Sequence, residues 1–280
     1  MSIAGSLYYR ACSTRWGLVL ARQAARGLRG LGLLPRDFLP TRALELDRNA
    51  LAGLLRLWPQ VHWSCGDGMM PAEQLLAVYR LAVDWPVAGD VVELGSWVGL
   101  TTTYLATACH IRRSGHVYAV DTFAGTREGE TTYASVGKYA GDTFPAFQAR
   151  IARAGVSDYV TPLRGLTQDM VHHYPGGPVR VLLIDADHSY AGVRRDFELW
   201  SPLVAPGGLI IFHDYLMEGA GVRRFVDEDV ARLDGYALTP GHVAPNVMAA
   251  TKRAPVPAPP RDQRHMRGRV DGTPVLIGPC

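Results

Sequence analysis

Two glycines and two acidic residues in the first half of the chain have a spacing that can bind a nucleotide-like ligand. An apolar run ends in a segment that contains Glu93, Gly95, Ser96 and Gly99, and a helical stretch follows it. Glycine lets the backbone approach a ligand closely, and the start of the helix points its unpaired N–H groups at that ligand. A second apolar run ends on one carboxylate, Asp121, where an acid can accept both ribose hydroxyls of an adenosine. The pattern therefore predicts a site for an adenosine-containing cofactor.

The spacing of these glycines distinguishes two kinds of cofactor. A dinucleotide-binding loop has the pattern G-x-G-x-x-G, whereas this loop has G-x-x-x-G and a carboxylate inside the strand end. A buried carboxylate is costly unless it is paired, and an ammonium-bearing cofactor can supply the partner directly or through backbone and water. The pattern E-x-G-x-x-x-G followed by a strand-terminal acid resembles motifs I and II of class I S-adenosylmethionine-dependent methyltransferases, over about residues 65–253. The resemblance implies that S-adenosylmethionine is bound by Glu93, Gly95, Ser96, Gly99 and Asp121.

Ionisable residues cluster after two further apolar runs. One run is followed by Asp185, Asp187 and His188, and the other by His213 and Asp214. If the two runs form adjacent parallel strands, their carboxyl ends lie side by side, where ligands bind in open α/β sheets. A competing interpretation is that Asp187 or Ser189 only caps the following helix, which explains one acid but leaves the other four groups without a reason. We therefore predict a functional cluster.

This block, together with residues 192–208, resembles the small-molecule O-methyltransferases that include macrocin-type sugar methyltransferases and their catechol-type relatives. The resemblance implies that Mg²⁺ or another divalent ion is held by Asp185, His213 and Asp214. It also implies that Asp187 is the general base. A metal-free enzyme that uses His188 or Asp187 as its base is the alternative. Mg²⁺ prefers oxygen ligands whereas imidazole suits softer ions, so a histidine at position 213 leaves the identity of the metal, and the need for one, open.

Two further segments complete the predicted site. Gly165, Thr167 and Gln168 follow the third strand, where the resembling enzymes hold the adenine ring, and Asp185 is also assigned to the cofactor. Residues 126–141 are rich in Gly, Thr and Tyr and are too long for a plain connection, which is typical of a substrate lid.

Composition agrees with a folded enzyme and predicts neither a nucleic-acid partner nor a membrane span. The chain has 280 residues, is 48% hydrophobic and carries a net charge of +3, which is too small to favour a nucleic-acid partner. Its four cysteines are scattered without a C-x-x-C spacing, as expected for reduced thiols in a cytoplasmic protein. No apolar run approaches the roughly 18 residues of a membrane span.

The alternation of apolar strand-like and amphipathic helical segments predicts an α/β fold with a parallel sheet covered on both faces. The resemblance implies a Rossmann-like, doubly wound, seven-stranded and mostly parallel sheet with a C-terminal antiparallel hairpin, and we expect Gly207 and Gly208 to form the turn into the fifth strand. We predict an N-terminal helical cap at residues 1–62, a methyltransferase domain at 63–253 and a proline-rich tail at 254–280. We expect the arginine-rich N-terminal segment to pack on the catalytic domain or on a second subunit, which would form a homo-oligomer. A transit peptide or a membrane-surface helix is the alternative.

The leading functional hypothesis is a cytoplasmic O-methyltransferase that acts on a hydroxyl group of a small molecule, such as a sugar or a secondary metabolite, in natural product biosynthesis. An NAD-type oxidoreductase on the same sheet is an alternative. A second alternative is an enzyme like cephalosporin hydroxylase, since such proteins resemble this group. A non-catalytic scaffold is disfavoured by the density of ionisable residues at two strand ends.

Overall fold

The computed structural model of the protein describes residues 68–125, 139 and 141–254. Helices and strands alternate along these residues. The α-helices are α1 (Ala72–Asp84), α2 (Leu100–Arg112), α3 (Phe144–Ala154), α4 (Thr167–Met170), α5 (Tyr190–Trp200) and α6 (Val222–Glu228). The strands are β1 (Asp90–Leu94), β2 (Val117–Asp121), β3 (Val160–Arg164), β4 (Val179–Ile184), β5 (Val204–Phe212), β6 (Tyr236–Leu238) and β7 (Met248–Lys252). Short 3-10 helices lie at Ser157–Tyr159, Val171–His173, Ser201–Leu203 and Val230–Arg232.

The strands of the described residues form one sheet in the order β3-β2-β1-β4-β5-β7-β6. Strands β1 to β5 are parallel, whereas β7 is antiparallel to both β5 and β6. The strand order reverses between β1 and β4, and ligands bind at such a reversal, outside the carboxyl ends of the strands. The sheet confirms the predicted Rossmann-like fold with its C-terminal antiparallel hairpin.

Helices cover both faces of the sheet because successive strand side chains point to opposite sides. Val91 packs with helices α1 to α3 on one face, whereas Val92 packs with α5 and α6 on the other. Both valines are fully buried, and burying such a side chain contributes about 1.5–3 kcal/mol. Two hydrophobic cores of this kind hold the strand ends, and therefore the loops that follow them, in fixed positions.

Strand β5 begins earlier than the sequence predicts. It starts at Val204, so Gly207 and Gly208 lie inside the strand and not in a turn before it. Gly207 has a positive φ of 77°, and the register between β4 and β5 shifts between Val179 and Val181. A Cβ atom on Gly208 would lie 2.8 Å from the carbonyl oxygen of Ala205. The two glycines therefore allow an irregularity within the sheet, which the sequence pattern presents as a turn.

Several sequence predictions concern residues outside this part of the chain. The helical cap at 1–62, most of the proposed lid at 126–141 and nearly all of the tail at 254–280 lie outside the described residues. The predicted domain boundaries therefore stay predictions. Within the described residues, no helix is both long enough and apolar enough to cross a membrane.

Candidate active site

A cavity of about 460 Å³ opens at the carboxyl ends of the parallel strands. It is bounded by the loop after β1, the end of β2, the segment after β3 and the ends of β4 and β5. The predicted site residues that line it are Gly95, Ser96, Asp121, Gly165, Thr167, Gln168, Asp185, Asp187, His188, His213 and Asp214. Glu93 and Gly99 are the two predicted site residues that do not line it.

The glycine loop is held by the carboxylate of Asp121. Its Oδ2 atom accepts hydrogen bonds from the backbone N–H groups of Ser96 at 2.8 Å and Trp97 at 2.7 Å. Its Oδ1 atom accepts the N–H of Phe123 at 2.6 Å. Trp97 and Phe123 both have positive φ, at 45° and 57°, which is a costly conformation for bulky residues. Asp121 therefore orders the loop that borders the cavity, a task in addition to the ribose contact that the sequence predicts.

Gly95 is required by the neighbouring strand. It has a φ of 88°, and a Cβ atom there would lie 2.1 Å from the backbone carbonyl oxygen of Asp185. The sequence explains this glycine by a close approach to a ligand, whereas the closest approach in the structure is to the backbone after β4. Gly99 is the left-handed residue before helix α2, where a Cβ atom would lie 2.7 Å from the ring of Phe147.

Glu93 lies fully buried at the end of β1, beside the cavity and not in its wall. Its Oε2 atom accepts a hydrogen bond from the hydroxyl of Thr102, and its Oε1 atom has no hydrogen-bond partner among the described residues. Burial raises the pKa of Glu93 to about 8, although the Thr102 and Ser96 hydroxyls act in the opposite direction. The buried carboxylate that the sequence singles out is therefore present, and one of its oxygens is available to a further donor.

The segment after β3 forms the wall opposite the glycine loop. Gly165, Leu166, Thr167 and Gln168 all line the cavity, and half of the surface of Leu166 is exposed. Thr167 begins helix α4, and it forms hydrogen bonds with Asp196 and Trp200 of helix α5. The structure therefore brings this segment to the same cavity as the glycine loop and Asp121, as the resemblance implies.

The charged cluster forms where β4 and β5 end side by side. His213 Nδ1 lies 2.8 Å from Asp185 Oδ1 and 3.2 Å from Asp214 Oδ2. His188 Nε2 lies 3.2 Å from Asp214 Oδ2 and 3.6 Å from Asp185 Oδ1. Burial opposes the ionisation of Asp185, but the two histidines hold its pKa below the usual value. The prediction that the two strands are adjacent and bring these groups together is confirmed.

His213 is engaged on both ring nitrogens. Its Nε2 donates to the side-chain oxygen of Gln74 at 2.7 Å, and its Nδ1 faces the two carboxylates, so both nitrogens act as donors. Burial lowers the pKa of His213, but Asp185 and Asp214 outweigh that effect and raise it to about 10. The described residues that can jointly hold a metal ion are Asp185, His188 and Asp214. This candidate group contains His188, whereas the sequence predicts His213 as the histidine ligand.

Two residues that support this cluster are not among those predicted from the sequence. Gln74 is buried on helix α1 and contacts His213. Asn246 donates its side-chain amide to Asp214 Oδ1 at 2.7 Å, and it accepts the Leu216 N–H at 2.6 Å. Asp214 and Asn246 both have positive φ, at 54° and 63°. A polar residue on the apolar face of a predicted helix was an available signal for Gln74; Asn246 gave none before its contacts were known.

Asp187 is held at the edge of the cavity by short-range contacts. Its Oδ1 accepts the N–H of Ser189 at 2.9 Å, and Arg195 lies 3.4 Å from its Oδ2. The cap of helix α5 is Ser189, whose side chain accepts the N–H of Gly192 at 3.0 Å. Capping therefore accounts for Ser189, whereas Asp187 is one of the residues that line the cavity.

Comparisons with known proteins agree with this description. Residues 92–215 match the family model of a methyltransferase domain, a range that includes the glycine loop, Asp121 and the charged cluster. The O-methyltransferase NovP is 23% identical, with alignment over 67% of this chain and 82% of that chain and a TM-score of 0.56. A putative caffeoyl-CoA O-methyltransferase from Staphylococcus aureus is 17% identical, over 71% and 90% of the two chains, with a TM-score of 0.50. A methyltransferase from Geobacter sulfurreducens is 17% identical, over 82% and 96%, with a TM-score of 0.50. These structures share the fold of this chain.

Proposed function

We propose that this chain is an S-adenosylmethionine-dependent methyltransferase that transfers the methyl group to a hydroxyl oxygen of a small molecule. One observation carries this proposal. The ionisable residues at the ends of β4 and β5 line the same cavity as the glycine loop and residues 165–168, the segment after β3 that is predicted to hold adenine. A hydroxyl group needs a base or a metal ion to lose its proton. The cluster lies where the sulfonium methyl group of a bound cofactor would be. The fold neighbours named as O-methyltransferases favour oxygen as the accepting atom.

The cofactor would extend across the cavity between the predicted contacts. Asp121 would accept the ribose hydroxyls while its other lone pairs keep the glycine loop in place. Residues 165–168 would hold the adenine ring, and Glu93 would receive the ammonium group through backbone or water. This arrangement directs the sulfonium methyl group toward the ends of β4 and β5.

Methyl transfer from sulfonium to oxygen is an in-line displacement that neutralises the positive charge of the cofactor. The enzyme must align the two reactants, exclude water and accept the hydroxyl proton. Alignment alone can supply roughly 7–11 kcal/mol in favourable cases. Asp187 and His188 both line the cavity and can each accept a proton, which typically contributes a factor of about 10²–10⁴.

A divalent metal ion fits the cluster, with Asp185, His188 and Asp214 as its ligands. Two carboxylates and one imidazole suit Mn²⁺, Fe²⁺ or Zn²⁺ better than Mg²⁺, which takes oxygen ligands. When bound, such an ion would lower the pKa of the acceptor hydroxyl. The identity of the base depends on whether a metal ion is bound, because His188 cannot bind an ion and also accept the proton of the acceptor hydroxyl. With a metal, Asp187 is the base; without one, His188 can serve.

The acceptor is proposed to be a small hydroxylated molecule, such as a sugar or a secondary metabolite. A cytoplasmic location and association through the N-terminal segment remain predictions of the sequence, and the described residues neither include that segment nor bear on its role.

The test uses the full chain with S-adenosylmethionine and a panel of sugars, phenols and alcohols. We expect S-adenosylhomocysteine to form in equal amount to a product that gains the mass of a methyl group. Asp187→Asn should slow this reaction about 10²- to 10⁴-fold while the protein stays folded, because asparagine keeps an acceptor for the Ser189 N–H but cannot take the proton. The matched control is Asp158→Asn, an exposed acid that precedes β3 and does not line the cavity. A product that gains the mass of oxygen, or binding of NAD without S-adenosylhomocysteine, would contradict the proposal.

A further inference from the structure

A buried carboxylate lies behind the adenine-side wall of the cavity. Asp196, on helix α5, is completely buried, and its Oδ1 atom accepts the hydroxyl proton of Thr167 at 2.5 Å. Its Oδ2 atom has no hydrogen-bond partner in the described part of the chain. Burial is costly for a carboxylate, so a position of this kind calls for an explanation.

The same helix makes a second contact with the same residue. Trp200 lies one helical turn after Asp196 and donates its ring N–H to the backbone oxygen of Thr167 at 3.1 Å. Thr167 is therefore held at its side chain and at its backbone by two neighbouring residues of α5. Two anchors on one residue fix its orientation more firmly than a single contact can.

The direction of the hydrogen bond determines what Thr167 can offer to a ligand. A hydroxyl group has one proton and two acceptor lone pairs, and the proton of Thr167 is given to Asp196. An ionised carboxylate can only accept, so this direction cannot be reversed. Burial raises the pKa of Asp196 to about 6, against the effect of the Thr167 hydrogen bond, and the group is therefore ionised at pH 8. At that pH the Thr167 oxygen can act toward the cavity only as an acceptor.

We infer that Asp196 is a positioning residue that makes the enzyme select the 6-amino group of adenine, by holding the Thr167 hydroxyl as an acceptor. This inference rests on the proposed placement of adenine against residues 165–168. An amino group at position 6 donates to the Thr167 oxygen, whereas a 6-oxo group sets two acceptors against each other. A purine that cannot form the bond leaves a polar group unpaired, and such a mismatch discriminates strongly.

The experiment compares the affinities of the full-length enzyme for S-adenosylhomocysteine and S-inosylhomocysteine, which has oxygen in place of the 6-amino group. Titration calorimetry at pH 8 gives the ratio of the two dissociation constants. We expect the unmodified enzyme to favour the adenosyl compound by about 10- to 100-fold. Asp196→Asn should reduce this ratio about tenfold, because an amide can donate to the Thr167 oxygen and free the hydroxyl proton for a 6-oxo group. Thr167→Val should reduce it to a similar extent.

The matched control is Asp169→Asn. It removes the charge of an exposed acid on α4, the short helix that also contains Thr167, and should leave the ratio of the two dissociation constants unchanged. A merely structural role for Asp196 would weaken both ligands equally, so an unchanged ratio in a folded Asp196→Asn or Thr167→Val variant overturns the inference. If the unmodified enzyme binds neither compound, the proposed cofactor site fails as well. If it binds the adenosyl compound but the ratio is the same in the unmodified enzyme and the variants, only the proposed role of Asp196 fails.

Discussion

The carboxylate of Asp185 lies 2.8 Å from ring Nδ1 of His213, and this contact engages one of the two nitrogens through which His213 could bind a metal ion. The other ring nitrogen of His213 donates to Gln74 at 2.7 Å, so both are occupied. We therefore expect His213 to act as a positive charge between two carboxylates and His188 to be the histidine that binds an ion. His188 also lines the cavity, and it belongs to the group of residues that could hold an ion.

Substitution of the two histidines should consequently have different effects on metal binding. His188→Ala removes a ligand, and we expect it to weaken Mn²⁺ binding by more than the roughly 10- to 100-fold that loss of an outer partner costs. His213→Gln removes a positive charge next to Asp185 and Asp214, so it should leave Mn²⁺ affinity unchanged or increase it. Titration calorimetry with Mn²⁺ in the absence of substrate measures both. Weaker binding in His213→Gln with normal binding in His188→Ala would restore the ligand set predicted from the sequence.

Chelation tests whether the ion is needed for turnover. After exhaustive chelation we expect activity to fall, and to return better with Mn²⁺ or Fe²⁺ than with Mg²⁺, since one ligand is an imidazole. Full activity in chelator would contradict the metal proposal and would make His188 the preferred base.

The parts of the site that could be predicted from sequence are those set by local pattern. Strand ends follow from the apolar runs, and the position of Asp121 or Asp185 one residue after such a run places it at the carboxyl edge of the sheet. The adjacency of β4 and β5 followed from the resemblance. For these reasons all but two of the predicted site residues line one cavity.

Contacts between residues that are far apart in the chain could not be predicted from the sequence. Gln74 and His213 are 139 residues apart, and Asp214 and Asn246 are 32 apart. No local periodicity records such pairs, because they depend on how helix α1 and the loop before β7 pack against the sheet. The metal-ligand role of His213 stays a prediction, and its contact with Gln74 on α1, which bears on that role, is one of these long-range pairs.

Asp121 should be essential for cofactor affinity. Asp121→Ala removes acceptors for Ser96, Trp97 and the ribose, and each charge-assisted hydrogen bond contributes about 1.5–3 kcal/mol. We expect S-adenosylhomocysteine to bind about 10- to 150-fold more weakly. Calorimetric titration measures this, and Asp158→Ala is the control because its acid is exposed. Normal affinity in the folded Asp121→Ala variant would mean that neither the loop nor the ribose depends on this carboxylate.

Gly95 should matter for folding even when no cofactor is present. Gly95→Ala places a Cβ atom against the Asp185 backbone at a positive φ, and the backbone cannot move aside as a flexible side chain can. Gly141 has a similar φ of 81° with nothing within 4 Å, so Gly141→Ala measures the conformational cost alone, about 1–3 kcal/mol. We expect chemical denaturation without cofactor to give a clearly larger loss of unfolding free energy for Gly95→Ala. Equal losses would show that the contact with Asp185 is relieved at little cost and that the glycine serves the ligand.

Glu93 should make the stability of the cofactor-free protein depend on pH. Its pKa is raised from an ordinary value of 4.5 to about 8 in the folded state, mainly by burial. Between these values the unfolded chain releases the proton while the folded chain retains it, so the unfolded state is favoured as the pH rises. The unfolding free energy should therefore fall across this window, by up to about 1.4 kcal/mol per pH unit from this group.

Glu93→Gln removes the titrating group and keeps the size of the side chain. We expect denaturant titrations between pH 5 and pH 8 to show a smaller fall in unfolding free energy for this variant than for the unmodified protein. Glu198→Gln, an exposed glutamate paired with Arg194 on α5, should leave the pH dependence unchanged. A cofactor that places its ammonium group near Glu93 would favour the carboxylate, so saturating S-adenosylhomocysteine should also flatten the curve of the unmodified protein. Identical pH dependence in the unmodified protein and Glu93→Gln would mean that Glu93 is ionised in the folded state at neutral pH and has found a partner for its second oxygen.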